Sequence, residues 1–237
     1  MRSAIHQLLA SPLSGAEIER RSFARIDESA KAHRFDPRQW EIVRRMVHAA
    51  GDLTLIDQIR ISPDAVEAGI AALRATRPVF ADSKMIRAGI SLERLQGASP
   101  AYRPEAISCH VGDPDVAEEA RRAGLPRSLF AARKARPILE GGIVLVGNSP
   151  VALLEICRLI QEEGLRPALL VAVPVGFVHV LESKQEAMES GVPHLTVVGN
   201  RGGSALAVSA LHALCTLAVQ QEREKDERRQ ECKCKST

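Results

Sequence analysis

One histidine in the sequence stands where a helix should end. His48 lies three residues before Gly51, which is the expected stop of a helix that begins after Asp36 and Pro37. The negative end of the helix dipole favours a charged imidazolium, so His48 is a candidate proton donor near neutral pH. The alternative, which is common at such a position, is a half-buried side chain that hydrogen-bonds to a carbonyl group.

Two loops have the residue types of anion-binding sites. Each contains a serine, Ser149 or Ser204, at the start of a predicted helix whose free amide groups and positive dipole end attract a carboxylate or phosphate. Helix capping alone would explain the loop of Ser149 equally well. The loop of Ser204 also contains an arginine and a pair of glycines, which a helix cap does not require. The candidate binding residues in these loops are Asn148, Ser149, Arg201, Gly202, Gly203 and Ser204.

Two further turns follow predicted strands. Asp82 ends one strand, and its carboxylate could either take part in chemistry or cap the next turn. Gly176 and Phe177 lie in the apolar turn Pro174-Val175-Gly176-Phe177-Val178, which suits the lining of an apolar pocket better than the binding of charge.

Several function classes find no support in the sequence. The nucleotide patterns G-x-G-x-x-G and G-x-x-x-x-G-K-[ST], the hydrolase pattern G-x-S-x-G, and His-x-x-x-His or Cys-x-x-Cys metal pairs do not occur. We therefore expect no cofactor and no metal site. Seven aromatic residues and a net charge of +3 make a nucleic-acid partner improbable. Five scattered cysteines, without an export signal or 18 uninterrupted apolar residues, indicate a cytoplasmic protein that does not enter a membrane.

The elements that must position these residues alternate between strand and helix. Three helices come first, over about 16–32, from Pro37 to Gly51, and from Ser62 to about Ala75, and the segment 52–61 could be a strand or a short helix. The pattern predicts a three-layer α/β/α domain over residues 1–219, with a five-stranded parallel sheet and additional N-terminal helices. Residues 220–237 carry charge of both signs and are predicted to form a solvated tail. The five predicted strands are Pro78–Ala81, Ala106–Cys109, Ile143–Val146, Leu169–Val173 and His194–Val198.

Seven motifs in register resemble one family, that of the precorrin-8X methylmutases, including the cobalt-precorrin-8 enzymes. The resemblance extends from about Ile18 to Leu217, and no single motif would carry it alone. The motifs are Glu19-Arg20-Arg21-Ser22-Phe23, Arg45-Met46-Val47-His48-Ala49, Asp82-Ser83-Lys84-Met85, Pro126-Arg127-Ser128, Val146-Gly147-Asn148-Ser149-Pro150, Pro174-Val175-Gly176-Phe177-Val178 with Glu182-Ser183-Lys184, and Arg201-Gly202-Gly203-Ser204-Ala205.

The resemblance implies an isomerase of cobalamin biosynthesis that moves a methyl group from C-11 to C-12 of a tetrapyrrole, giving hydrogenobyrinate or its cobalt form. It also implies a homodimer with the site near the interface. His48 matches the family's catalytic acid, whereas Arg21, Ser22 and Arg127 match substrate contacts, and Gly202, Gly203 and Ser204 match its glycine-rich loop.

Among the residues that depart from the family pattern, His179 replaces a smaller residue and Asn200 replaces an arginine. They keep open an alternative, a corrinoid-binding or product-sequestering protein without catalysis.

Overall fold

In the computed structural model, residues 3–30 and 32–234 are described, with side chains described as far as residue 227 apart from residues 7 and 226. They form a central sheet with helices on both faces. The strands are β1 (Ile59–Ile61), β2 (Val79–Ala81), β3 (Ile107–Ser108), β4 (Ile143–Val146), β5 (Leu169–Ala172) and β6 (His194–Val197). The helices are α1 (Ala4–Ala10), α2 (Gly15–Ser29), α3 (Pro37–Ala50), α4 (Leu55–Gln58), α5 (Ala65–Arg74), α6 (Lys84–Gly89), α7 (Leu92–Ala98), α8 (Pro114–Ala123), α9 (Arg127–Leu139), α10 (Pro150–Glu163), α11 (Val180–Glu189) and α12 (Ser204–Cys234).

The strand order across the sheet is β1-β6-β5-β4-β2-β3. Strands β2 to β6 pair in parallel, which confirms the predicted α/β/α class and the positions of all five predicted strands. The expected count of five was wrong, because β1 adds an antiparallel edge strand in which Ile59 lies opposite Val197. The segment 52–61, for which the sequence allowed either a strand or a short helix, contains both, since α4 runs directly into β1. A three-residue edge strand is too short to produce a clear alternation in the sequence.

Both faces of the sheet are buried, as β4 shows. Ile143 and Leu145 belong to the core that includes residues of α3, α5 and α12, whereas Val144 and Val146 belong to the core on the side of α9 and α10. Successive strand residues point to opposite faces, so a strand that is apolar throughout must be covered on both.

Helix α3 begins and ends at the predicted residues. The Asp36 side chain accepts the N–H groups of Arg38 and Gln39, Pro37 is the first helical residue, and Gly51 ends the helix in the left-handed conformation with φ of 64°. Helix α2 ends at Ser29, three residues before the predicted end. These caps place His48 in the last turn of α3, as the sequence predicted.

Helix α12 is long and central. Residues Ser204–Lys225 are apolar enough to cross a membrane by length and composition, a looser criterion than the uninterrupted apolar run considered above. In this fold 56% of its most apolar window is buried, and α12 packs against α3, α5, α6 and α7, which is the environment of a core helix. The helix continues into the segment that we expected to be a separate tail, so the division at residue 219 stays a prediction. The side chains of Cys232 and Cys234 and all of residues 235–237 lie outside the described part of the chain.

Candidate active site

The loops that follow β2, β4 and β6 meet at the carboxyl edge of the sheet. A Cβ atom on Gly147 would lie 2.9 Å from the carbonyl oxygen of Gly203, so these two loops touch through their backbones. The hydroxyl groups of Ser83 and Ser204 are hydrogen-bonded at 3.1 Å, which joins the start of α6 to the start of α12. Parallel strands collect their ligand-binding loops at this edge.

Asp82 holds the loop after β4 in place. Its carboxylate accepts the backbone N–H groups of Gly147, Asn148 and Ser149 at 3.1, 2.9 and 2.7 Å. The residue is 1% exposed, and burial raises the pKa of the Asp82 carboxyl to about 6 although the three N–H donors act in the opposite direction. Of the two roles that the sequence left open, these contacts favour capping, and a direct contact between Asp82 and a ligand stays a prediction.

The same loop is tied to the start of α9. The Ser149 hydroxyl accepts the N–H group of Ala152 at 3.3 Å, as a helix cap does, and shares a hydrogen bond of 2.7 Å with the Ser128 hydroxyl. Arg127, the residue before Ser128, is exposed at the first position of α9. The start of α9, where Arg127 lies, is therefore next to the loop that contains Asn148 and Ser149.

His48 lines a cleft of about 390 Å³ at this edge. The imidazole is exposed, and it has no hydrogen-bond partner among the side chains and backbone groups that the structure describes. Its ring meets the ring of Phe23 edge-on, with 5.3 Å between centroids and an interplanar angle of 83°. The contact with Phe23 orients the ring but leaves its two nitrogens open. The alternative, in which the His48 side chain is half-buried and hydrogen-bonds to a carbonyl group, is not what the structure has. The other residues that line this cleft are Arg45, Ala49, Met85, Gly89, Ser204, Ala205, Val208, Ser209 and His212.

Three polar residues of this cleft, Arg45, Ser209 and His212, were not among the predicted site residues. Arg45 is three residues before His48, so both lie on the same face of α3, and its guanidinium is 3.0 Å from the Glu19 carboxylate. His212 accepts the Ser91 N–H group on Nε2 at 3.0 Å. Burial lowers the pKa of His212 to about 4, so this second imidazole is neutral at pH 7. The spacing of Arg45 from His48 was a usable signal, whereas nothing in the sequence linked His212 to the cleft.

A second cleft, of about 260 Å³, adjoins the first and shares Ala49 and Ala205 with it. Arg201 and Gly202 line it, and Arg201 forms an ion pair with Asp52, which also lines it. This contact across the cleft was not foreseen, because Asp52 lies 149 positions earlier in the chain.

Gly202 fits tightly against the end of β5. A Cβ atom at this position would lie 2.2 Å from the carbonyl oxygen of Val173 and 2.5 Å from that of Pro174. No side chain fits there without a shift of the backbone, so glycine is required at this point of the loop.

Nine of the predicted site residues line neither cleft: Arg21, Ser22, Asp82, Arg127, Asn148, Ser149, Gly176, Phe177 and Gly203. Arg21 pairs with Glu17 at 2.6 Å, and the Ser22 hydroxyl donates to a carbonyl of its own helix at 2.8 Å. Gly176 lies in the turn after β5 with φ of 149°, and the Phe177 side chain next to it is 89% exposed. The contacts of all nine residues with a ligand stay predictions.

Two of the residues that depart from the family pattern, His179 and Asn200, lie away from the walls of both clefts. His179 is exposed, with a left-handed φ of 58°, and directly precedes α11. Asn200 is exposed in the loop before α12, where its carbonyl group accepts the N–H group of Gly176 at 3.2 Å. Neither side chain narrows a cleft in this structure.

The described residues contain no group of three or more His, Cys, Asp or Glu side chains that could hold a metal ion. The chemistry that the clefts themselves offer is proton transfer from an imidazole and the binding of negative charge by arginine and loop amides.

Residues 17–217 match the family model described as precorrin-8X methylmutase. The chain belongs to the precorrin-8X methylmutase family. It is therefore an enzyme, an isomerase of cobalamin biosynthesis. The matched range agrees with the extent of the motif resemblance, from about Ile18 to Leu217.

Several similar proteins align with this methylmutase chain over nearly their full length. The cobalt-precorrin-8 methylmutase of Leptospira interrogans is 40% identical over 212 residues, which are 86% of this chain and 94% of that relative. The precorrin-8X methylmutase of Pseudomonas aeruginosa is 36% identical over 204 residues, 85% of this chain and 95% of the relative. The crystal structure of precorrin-8X methylmutase from Thermus thermophilus superposes with a TM-score of 0.79 at 40% identity, covering 87% of this chain and 98% of that chain.

Proposed function

We propose that this methylmutase moves a methyl group from C-11 to C-12 of precorrin-8X or its cobalt form, with His48 as the acid. The observation that carries the proposal is the exposed His48 imidazole, which lines a cleft at the ligand-binding edge without a hydrogen-bond partner among the described residues. The product would be hydrogenobyrinate or cobyrinate. Relatives named for the metal-free and for the cobalt substrate have similar identities to this chain, so both substrates are included.

The reaction requires a proton and no external electrons. The bond from C-11 to the methyl carbon breaks while the bond from that carbon to C-12 forms, so substrate and product are isomers. Protonation of a ring nitrogen by His48 withdraws electron density from the conjugated system and lowers the barrier to migration. The position of His48 in the last turn of α3 supports this role, because it leaves the imidazole exposed on the wall of the cleft.

The carboxylate arms of the macrocycle would be bound by the surrounding loops. Arg127 and Arg201 supply guanidinium groups, and the helix starts at Ser149 and Ser204 supply amide groups with a positive dipole end. In this proposal Arg21 and Ser22 also contact the substrate, and the apolar turn at Gly176 and Phe177 faces the ring.

A homodimer with the site near the interface would account for the exposed apolar side chains after β5. Phe177, Val178 and Leu181 are 89, 71 and 56% exposed. Burial of such a patch against a second copy would remove apolar area from water at about 25 cal/mol per Å². Light scattering of the purified protein should give the mass of two chains, and a monomer would contradict the dimer. We place the enzyme in the cytoplasm.

The activity is tested by incubating the purified chain separately with precorrin-8X and cobalt-precorrin-8 and following the visible spectrum. The proposal expects the product chromophore to appear with at least one of them. Tight binding of hydrogenobyrinate without any change in the spectrum of either precursor would instead favour the non-catalytic corrinoid-binding alternative.

A further inference from the structure

A lysine is buried directly behind the glycine-rich loop. Lys184 is 1% exposed and lies on the buried face of α11 with Val180 and Ala187. Its ammonium group donates hydrogen bonds to two loop carbonyls, of Gly199 at 2.7 Å and of Arg201 at 2.6 Å. A buried ammonium that bonds only to backbone of a binding loop is costly to maintain, which calls for a functional explanation.

The charge of Lys184 has no carboxylate partner among the described side chains. Arg201, the other cation of the loop, already forms an ion pair with Asp52. Burial lowers the pKa of Lys184 to about 8, so the ammonium form still predominates at pH 7. The uncompensated positive charge at the loop is therefore that of Lys184.

The two hydrogen bonds also set the direction of the loop amides. The peptide bonds are trans, and in a trans peptide the N–H group points away from the C=O group of the same unit. Since the carbonyls of Gly199 and Arg201 point to Lys184, the N–H groups of Asn200 and Gly202 point away from it. Neither N–H group has a hydrogen-bond acceptor within the described residues, and Gly202 lines the second cleft.

We propose that Lys184 is a positioning residue for substrate binding: it turns the N–H groups of Asn200 and Gly202 outward and, with its own charge, makes the loop a site for one carboxylate arm of the corrin. Both N–H groups are without an acceptor among the described residues, and an incoming carboxylate would accept a hydrogen bond from each of them. This inference rests on the proposed function, because it names a residue that prepares the same site.

The test compares a charged ligand with a neutral ligand of nearly the same shape. One is hydrogenobyrinate, and the other is the same corrin with its carboxylates converted to neutral primary amides. Binding of each is measured by titration of the visible spectrum at pH 7, in the wild-type chain and in Lys184→Met. Loss of charge-assisted bonds should weaken binding of the acid by tenfold or more and change binding of the amide by less than threefold.

Two further variants complete the design. Lys184→Gln keeps an N–H donor for the loop without the charge, and it carries the test if Lys184→Met does not fold; the acid should again bind tenfold more weakly. Lys134→Met is the matched control, because Lys134 is paired with Asp113 and Asp115 away from the loop, and it should bind both ligands as wild type does.

Unchanged binding of the acid by the folded Lys184 variants, or an equal loss for acid and amide, would overturn the inference and leave the proposed function standing. Wild-type protein that binds neither corrin would overturn the proposed function, and the inference with it. In the active enzyme, the Lys184 variants should raise KM with little change in kcat, since the residue acts on substrate binding.

Discussion

Gly202→Ala should disable the enzyme through a backbone displacement rather than through loss of a chemical group. The new Cβ would lie 2.2 Å from the Val173 carbonyl oxygen, whereas ordinary van der Waals contact starts at 3.4 Å, so the loop must move by about 1.2 Å. A misplacement of about 1 Å at a binding site lowers turnover by roughly 100-fold. The same overpacking should cost about 1–3 kcal/mol of stability.

The assay is the rate of the spectral change with saturating precursor, together with urea unfolding of the same preparation. Gly15→Ala is the control, because Gly15 starts α2 and a Cβ there meets no atom within 4 Å. This control should keep wild-type turnover. A Gly202→Ala enzyme that turns over within threefold of wild type would refute the argument that the backbone of the loop is held at this position.

Two further substitutions test buried hydrogen bonds, one that holds a loop of the site and one in the core. Asp82→Asn keeps one oxygen but turns an NH₂ group toward a backbone N–H donor. The free energy of unfolding at pH 7 should therefore fall by about 1–3 kcal/mol. A loss below about 0.5 kcal/mol in urea unfolding would contradict the assigned loop contacts. Tyr102→Phe removes a fully buried hydroxyl that donates to the Arg77 carbonyl at 2.9 Å. The free energy of unfolding, measured by heat and by urea, should therefore fall by about 1–3 kcal/mol. An unchanged free energy of unfolding would mean that the carbonyl finds another donor.

Local signals in the sequence were sufficient to place the main catalytic candidate. Asp36, Pro37 and Gly51 define where α3 starts and stops, so the position of His48 in its last turn followed from capping preferences. The five parallel strands were found for a similar reason, since each is a short apolar run flanked by turn residues. Strand β1 was missed as a definite strand because three edge residues have too little periodicity.

Contacts between distant parts of the chain could not be predicted in this way. The Asp52–Arg201 pair and the bond from Ser91 to His212 depend on how α3, α7 and α12 pack, which no local spacing reports. Lys184 did leave a signal that was not used. It occupies the buried face of α11, where a charged residue calls for a specific partner.

The rate of the methyl shift in His48→Gln, measured with saturating precursor, tests the central claim most directly. Glutamine keeps a hydrogen-bonding group of similar size but supplies no acid, so binding of hydrogenobyrinate should remain while conversion slows by about 100-fold or more. Conversion by His48→Gln at the wild-type rate would contradict the account, because the proton would then come from another group.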